Sequence, residues 1–179
     1  MMLRIAPVAL LAGLVLARSA ASAETPDPLP VPTGAPVLTV TGSIGVHNAP
    51  DAAVFDMAML QGLGSSLVET STPWTAGRAS FRGVPLYMLT DRLGVTEGML
   101  FAQAVNDYSA EIPLEDAVPG RALVAWEMNG APIPPRGQGP LWVIYPFDAA
   151  PEFQSEVIYS RAIWGLDRIE VRPAPEQGQ

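Results

Sequence analysis

Short runs of alternating apolar and polar residues recur between residues 37 and 172, and this pattern predicts strands. The run 37–44 alternates with period two, and 67–72 has the same character. In the second half of the chain, turn residues separate further apolar runs; Asn106-Asp107 is one hairpin signal and Asn129-Gly130 is the stronger. The strands predicted there, listed by number, are 99–105, 108–112, 122–128, a short one at 133, 141–145 and 164–172.

Two segments have helical spacing instead. Asp56 precedes apolar residues three positions apart, which predicts an N-capped helix that ends near Gly62 or Gly64. Pro85 begins a second predicted helix over 86–93, whose leucines form one apolar stripe. Short helices among many strands, without an internal repeat, predict an α+β fold with two or three short helices packed on a mainly antiparallel or mixed sheet.

The two ends of the chain differ from its middle. Arg4, an apolar run over 5–17 and the small residues up to Ala23 are typical of a secretory signal peptide, which predicts export to the periplasm and cleavage near Ala23. A proline-rich stretch follows and predicts an extended linker. The predicted division is a signal peptide at 1–23, a linker at 24–36, one soluble domain at 37–172 and a flexible tail at 173–179.

Composition narrows the possible chemistry. The chain carries 18 acidic and 10 basic residues, has no cysteine, and all its basic residues are arginine. Nucleic acid is therefore not an expected partner, because binding phosphates needs a basic surface. Thiolate metal sites and cysteine nucleophiles are excluded. The single histidine, His47, has no second histidine or cysteine with which to share a metal, and no G-x-S-x-G motif accompanies it.

Aromatic and arginine side chains are concentrated near the predicted strand ends. Flat heteroaromatic ligands are bound by stacking between rings while a carboxylate or an arginine pairs with their polar edge. The same residues would also fit a core of aromatic rings with arginines reaching to the surface, and composition alone favours this second interpretation, because aromatic residues at strand positions usually fill cores. They are Trp74, Arg78, Tyr108, Arg136, Trp142, Tyr145, Tyr159, Arg161 and Trp164.

Five pieces of sequence, in order, carry a family resemblance. They are Trp74-Thr75, Phe81-Arg82-Gly83-Val84-Pro85-Leu86, Asn106-Asp107-Tyr108-Ser109-Ala110-Glu111-Ile112-Pro113, Asn129-Gly130-Ala131-Pro132-Ile133 and Gly139-Pro140-Leu141-Trp142-Val143-Ile144-Tyr145-Pro146. From about residue 37 to 172 the chain resembles the molybdopterin-binding domain of the sulfite oxidase family. The resemblance implies that the Asp-Tyr hairpin and the Gly-Pro-Leu strand line a pterin pocket.

The chain departs from that family at the metal. The family's enzymes bind molybdenum through a cysteine in the stretch that corresponds to 68–74, where this chain has Thr70 or Ser71. A hydroxyl is a poor replacement for a soft thiolate ligand. Lysine for the cofactor's phosphate is absent as well. Cysteine-free, exported, stand-alone chains of this kind are similar to the PruR-type pterin-binding proteins.

The resemblance to PruR-type proteins implies a function. Such proteins bind reduced pterins in the periplasm and control a membrane-bound cyclic-di-GMP enzyme. We therefore expect a reduced pterin, a tetrahydropterin, as a dissociable ligand with no prosthetic group, and the periplasmic domain of an inner-membrane diguanylate cyclase or phosphodiesterase as the partner. The missing cysteine favours a non-enzyme. Two alternatives stay open: a molybdopterin-dependent oxidoreductase subunit, and a structural or assembly protein without a ligand.

The resemblance also suggests roles for individual residues. Asp107 is expected to pair with the amino-oxo edge of the pterin, and Arg136 or Arg161 with its carbonyl side. Trp142 and Tyr145 differ by three positions, so at most one of them faces the pocket. Trp126 is expected in the core. The ligand-binding set is Trp74, Asp107, Tyr108, Arg136, Trp142, Tyr145, Tyr159, Arg161 and Trp164, with no catalytic and no metal-binding residue.

Overall fold

The predicted strands divide between two sheets in the computed structural model, which describes residues 27–173. Within that range the chain forms ten strands and three short α-helices, with 3₁₀ turns at Leu114–Asp116 and Pro151–Phe153. The elements are β1 (Pro36–Gly42), β2 (Ala52–Asp56), α1 (Met57–Gly62), β3 (Ser66–Ser71), β4 (Arg78–Pro85), α2 (Leu86–Arg92), β5 (Met99–Ala104), β6 (Ser109–Pro113), β7 (Leu123–Met128), β8 (Ala131–Pro132), β9 (Trp142–Ile144), α3 (Glu156–Arg161) and β10 (Leu166–Arg172).

The strand order confirms the predicted α+β class. One sheet has the order β2-β1-β10-β5-β6, in which β1 and β10 are parallel and the other neighbours are antiparallel. The second sheet has the order β3-β4-β7-β8, and β9 also pairs with β7. The closing strand is β10, which lies in the centre of the first sheet, and Ala162 and Ile163 just before it are buried.

The two helices predicted from spacing form where expected. The side chain of Asp56 accepts a hydrogen bond from the backbone of Met59 and so caps α1. Helix α2 follows Pro85 directly and buries Leu86 and Leu89, each 1% exposed, against the main core. Burial of such an apolar stripe holds these short helices, because helices of six or seven residues are unstable alone.

Gly83 shows why the Phe-Arg-Gly-Val-Pro-Leu piece needs a glycine. It lies where β4 passes β7 with a register shift, and a Cβ atom there would collide with the backbone oxygen of Val124. Only glycine lets the two backbones approach this closely.

The sequence did not predict β2, β4 and α3. The short strand predicted at Ile133 is also misplaced, since β8 comprises Ala131–Pro132 and Ile133 lies outside it. Strand β4 begins in a polar stretch, and the apolar residues of α3 are consecutive (157–159) instead of helically spaced. The predicted 164–172 strand begins two residues late, at Leu166, because Trp164 forms only an isolated bridge to Trp142.

The described part of the proline-rich segment, 27–35, lies against the domain. Leu29 is buried in the main core, and the carbonyl oxygen of Pro30 accepts a hydrogen bond from the Asn48 side chain at 2.7 Å. The backbone N–H groups of Thr33 and Gly34 donate to Asp56 Oδ2 at 2.9 and 2.7 Å. The predicted signal peptide, its cleavage site and the tail beyond residue 173 lie outside the described residues. Among the described helices, none is both long and apolar enough to span a bilayer.

Asp56 accepts hydrogen bonds from the backbone of Thr33, Gly34 and Met59, and this predicts that the stability of the protein depends on pH. Hydrogen bonds from the backbone of Met59 and of Gly34 lower the Asp56 pKa below its usual value of about 3.9. The stabilisation is therefore complete above about pH 4 and is lost as the pH falls through the lower folded-state pKa. We expect Asp56→Asn to be less stable than the wild type in urea titrations at pH 7, with a difference that shrinks below pH 4. A difference that stays constant with pH would contradict the assignment.

Candidate functional site

A cavity of about 340 Å³ opens between three segments that are distant in sequence. They are the loop between β3 and β4, the hairpin turn between β5 and β6, and α3 with the residues that follow it. Its volume falls in the range of small-molecule sites, about 300–1,000 Å³. The lining residues are Trp74, Asn106, Tyr108, Glu156, Tyr159, Ser160, Ala162, Ile163 and Trp164.

Trp74 is the centre of the aromatic wall. Its ring centroid lies 5.5 Å from that of Trp164, 6.1 Å from Tyr159 and 6.0 Å from Trp142, with all three pairs edge to face. Trp142 and Phe147 lie behind it in the core. Because these rings fix one another, Trp74 and Trp164 present partly buried aromatic surfaces to the cavity without needing a ligand to order them.

Hydrogen bonds hold the remaining walls in place. The Tyr108 hydroxyl donates to the carbonyl oxygen of Ser160 at 2.9 Å and so ties the hairpin to α3. Asp107 has a φ of 65°, a turn conformation that aspartate tolerates better than most residues. The side chain of Ser155 caps α3 by accepting from the backbone of Ile158. The hairpin and the helix are thus positioned independently of any ligand.

Four of the nine predicted ligand residues meet at this cavity: Trp74, Tyr108, Tyr159 and Trp164. They come from three different segments.

The other five predicted residues do not line the cavity. Trp142 and Tyr145 are fully buried, and they belong to different core clusters, as their spacing of three predicted. Asp107 and Arg136 are exposed outside the lining. Arg161 lies on α3, but its guanidinium donates to Asp116 Oδ2 at 3.0 Å instead of entering the cavity.

Asp116 is the polar centre behind α3. Its carboxylate is 2% exposed; it pairs with Arg161 at 3.0 Å and Arg121 at 3.1 Å, and it accepts a hydrogen bond from the Tyr145 hydroxyl at 2.9 Å. Burial, and then the charge of Asp116, raise the pKa of Tyr145 far above its usual value. Tyr145 therefore stays a neutral donor, and the cluster pins the C-terminal end of α3 to the core.

Sequence reasoning missed several of the lining residues and the whole Asp116 cluster. Asn106, Glu156 and Ser160 line the cavity. For Glu156 a signal existed, since Ser155 before an acidic residue is a helix-start pattern. No sequence signal joins Asp116 to Arg161, which lies 45 residues further along the chain.

The resemblance places Thr70 or Ser71 where the family has its cysteine, and both residues make hydrogen bonds to Asp148. Thr70 is fully buried, and its hydroxyl donates to the carbonyl oxygen of Ser71 and accepts from the backbone N–H of Asp148. The backbone N–H of Ser71 donates to Asp148 Oδ2. Across residues 27–173 no three histidine, cysteine, aspartate or glutamate side chains are grouped to hold a metal. With no cysteine in the chain, these donors do not fit a molybdenum centre.

Three exposed apolar residues lie in or next to the cavity-lining segments. Tyr108, which lines the cavity, is 48% exposed. Val105 and Val157 are 62% and 57% exposed and precede or follow the lining residues Asn106 and Glu156 in sequence. Exposed apolar side chains that form one patch are typical of a contact surface for another protein.

Two further cavities lack an aromatic wall of this kind. One, of about 590 Å³, lies beside the end of α2 and is bordered by Asp91, Glu97 and Glu115. The other, of about 450 Å³, lies between the 29–33 segment and α1. Their linings contain no tryptophan or tyrosine, so stacking of a flat ring is best supported between Trp74 and Trp164.

Comparisons with known proteins agree with this architecture. The family model described as oxidoreductase molybdopterin binding domain matches residues 57–152. No curated protein matches the chain. Among solved structures, the chain is similar to the sulfane dehydrogenase SoxCD from Paracoccus pantotrophus, with a TM-score of 0.56 and 14% identity. The match covers 79% of this chain and 39% of that one, and at this identity it shows the fold alone.

Proposed function

The chain belongs to the oxidoreductase molybdopterin-binding domain family, and from this premise we propose that it binds a reduced pterin, a tetrahydropterin, in the cavity between Trp74 and Trp164. The observation that carries the proposal is a preformed aromatic cavity in a chain whose donor set does not fit the family's metal. The protein acts as a binding protein, and the pterin is a dissociable ligand.

The shape and chemistry of the cavity suit a bicyclic ring. Trp74, Tyr159 and Trp164 supply flat apolar surfaces, while Asn106 and Ser160 add polar groups at the edge. Stacking on such rings contributes about 1–3 kcal/mol for a nucleobase, which is a flat heterocycle like a pterin. A mostly apolar lining with a few polar groups is the usual composition of a small-molecule site.

The apolar rim supports a signalling role. Val105 and Val157 are exposed and adjoin the lining residues Asn106 and Glu156 in sequence, so we infer that a partner protein that covers the cavity would contact them as well as a bound pterin. We propose that this partner is the periplasmic domain of an inner-membrane diguanylate cyclase or phosphodiesterase, and that the protein reaches it after export and cleavage near Ala23. The family match is what supports the oxidoreductase alternative, but the chain has no cysteine that could bind the metal. No observation on the described residues favours a purely structural role.

Anaerobic titration of the purified protein with tetrahydropterins tests the binding. Because Trp74 and Trp164 line the cavity, a stacked pterin quenches their fluorescence. We expect saturable quenching with a Kd on the order of 1 µM or tighter, about −8 kcal/mol. No response from a protein shown to be folded by circular dichroism would overturn the proposal.

Metal analysis supplies the control for the oxidoreductase alternative. Protein purified from the periplasm is expected to contain no stoichiometric molybdenum, since no thiolate is present to bind it. Molybdenum at one atom per chain would favour the oxidoreductase subunit instead.

A further inference from the structure

Glu156 is the one charged side chain that lines the aromatic cavity within the described residues. It is the first residue of α3, exposed, and next to the Ser155 cap. A carboxylate at this position offers two acceptor oxygens to a ligand. The cavity is therefore electronegative at its mouth.

The arginines near the cavity have other partners. Arg161 and Arg121 both pair with the buried Asp116, at 3.0 and 3.1 Å. Arg78, beside the Trp74 loop, pairs with Asp148 at 3.5 Å. Lysine is absent from the chain, so none of the described lining residues offers a cation to a phosphate.

We propose that the cavity selects a tetrahydropterin without a phosphate group, and that the Glu156 carboxylate pairs with the pterin's amino and ring N–H donors. This inference rests on the proposed function and specifies its ligand. The two donors of that edge lie side by side and match the two oxygens of a carboxylate, an arrangement that gives strong bidentate hydrogen bonds. Glu156 takes the role that the sequence suggested for Asp107.

Charge explains the discrimination against phosphate. A phosphate monoester carries about −1.5 to −2 charges at pH 7. It would enter a chain of net charge −8 at a mouth that holds Glu156 and no neutralising cation. The repulsion is strongest at low salt and weakens as added salt shortens the Debye length.

The test compares tetrahydroneopterin with its 3′-phosphate in anaerobic fluorescence titrations of the full protein. We expect the phosphate ester to bind at least about tenfold more weakly at low salt, with the ratio falling at high salt. Glu156→Gln is expected to weaken tetrahydroneopterin binding about tenfold and to narrow the ratio between the two ligands. Glu152→Gln, an exposed acid outside the lining, is the matched control and is expected to leave both affinities unchanged.

The possible results distinguish failure of the phosphate discrimination from failure of pterin binding itself. Equal affinity for the two ligands, or a Glu156→Gln variant that behaves like Glu152→Gln, overturns the inference and leaves the pterin receptor standing. Binding of neither ligand to the folded wild type overturns the receptor itself, and the inference with it.

Discussion

Asparagine in place of Asp116 is expected to lower the free energy of unfolding by about 3 kcal/mol at pH 7. The substitution keeps the shape of the side chain but removes a 2% exposed charge that two arginines share. Arg121 and Arg161 would then hold their charges near the core without a counter-charge. Their side chains are 33% and 22% exposed, so they rehydrate in part, which places the expected cost at the lower end for a buried pair. Urea denaturation followed by circular dichroism measures it.

Asp167→Asn is the matched control for this experiment. Asp167 pairs with Arg168 on the surface, with side chains 35% and 52% exposed, and such pairs contribute about 0–1 kcal/mol. We expect its unfolding free energy to stay close to that of the wild type. If the two variants were equally stable, Asp116 would not be the anchor of α3 that the structure indicates.

Elements whose sequence signal is local were predictable. In β1, β5, β6 and β10, apolar and polar residues alternate in the sequence because only one face of each strand is buried. Helix α1 was found from Asp56, whose cap needs only the residues beside it.

Helix α3 was missed for a physical reason. Its apolar residues Val157, Ile158 and Tyr159 are consecutive, so they show no helical period, and its stability comes from tertiary contacts. Ile158 is buried in the main core, and Arg161 is held by Asp116 from a distant part of the chain. No pattern within the segment reports such contacts.

The sequence predicted only part of the cavity lining, for a related reason: four of the nine predicted residues line the cavity. Residue type and family resemblance indicated Trp74 and Trp164. From sequence, however, an aromatic residue that lines a cavity cannot be distinguished from one that packs behind it in the core. Trp142 is fully buried and packs against Trp74, which lines the cavity. Arg161 was expected at the ligand because a charge near a cleft suggests recognition, whereas its buried counter-ion lay elsewhere in sequence.

The second large effect is expected on ligand affinity, from Trp164→Ala. The Trp164 ring lines the cavity and lies edge to face with Trp74 at 5.5 Å and with Trp142 at 6.1 Å. Its removal takes away a stacking surface, which corresponds to about 1–3 kcal/mol and so to a roughly fivefold to 150-fold higher Kd for tetrahydroneopterin. Calorimetry under anaerobic conditions measures this without depending on the fluorophore that the substitution deletes.

Trp126→Phe is the control for loss of a tryptophan. Trp126 is 6% exposed and packs in the main core away from the cavity lining, as expected from its place in an apolar run. Its substitution is expected to lower stability without changing the Kd. A similar loss of affinity in both variants would mean that general loosening of the core, and not a lost stacking surface, weakens the binding.

Two more substitutions at the same position separate stacking from simple apolar burial. Phenylalanine keeps a flat face at position 164, whereas leucine keeps apolar volume without one. If the pterin stacks, Trp164→Phe retains most of the affinity and Trp164→Leu loses nearly as much as Trp164→Ala. If the Trp164→Phe and Trp164→Leu variants bind the pterin equally well, the Trp164 ring serves only to exclude water. The stacking proposed between Trp74 and Trp164 would then be wrong.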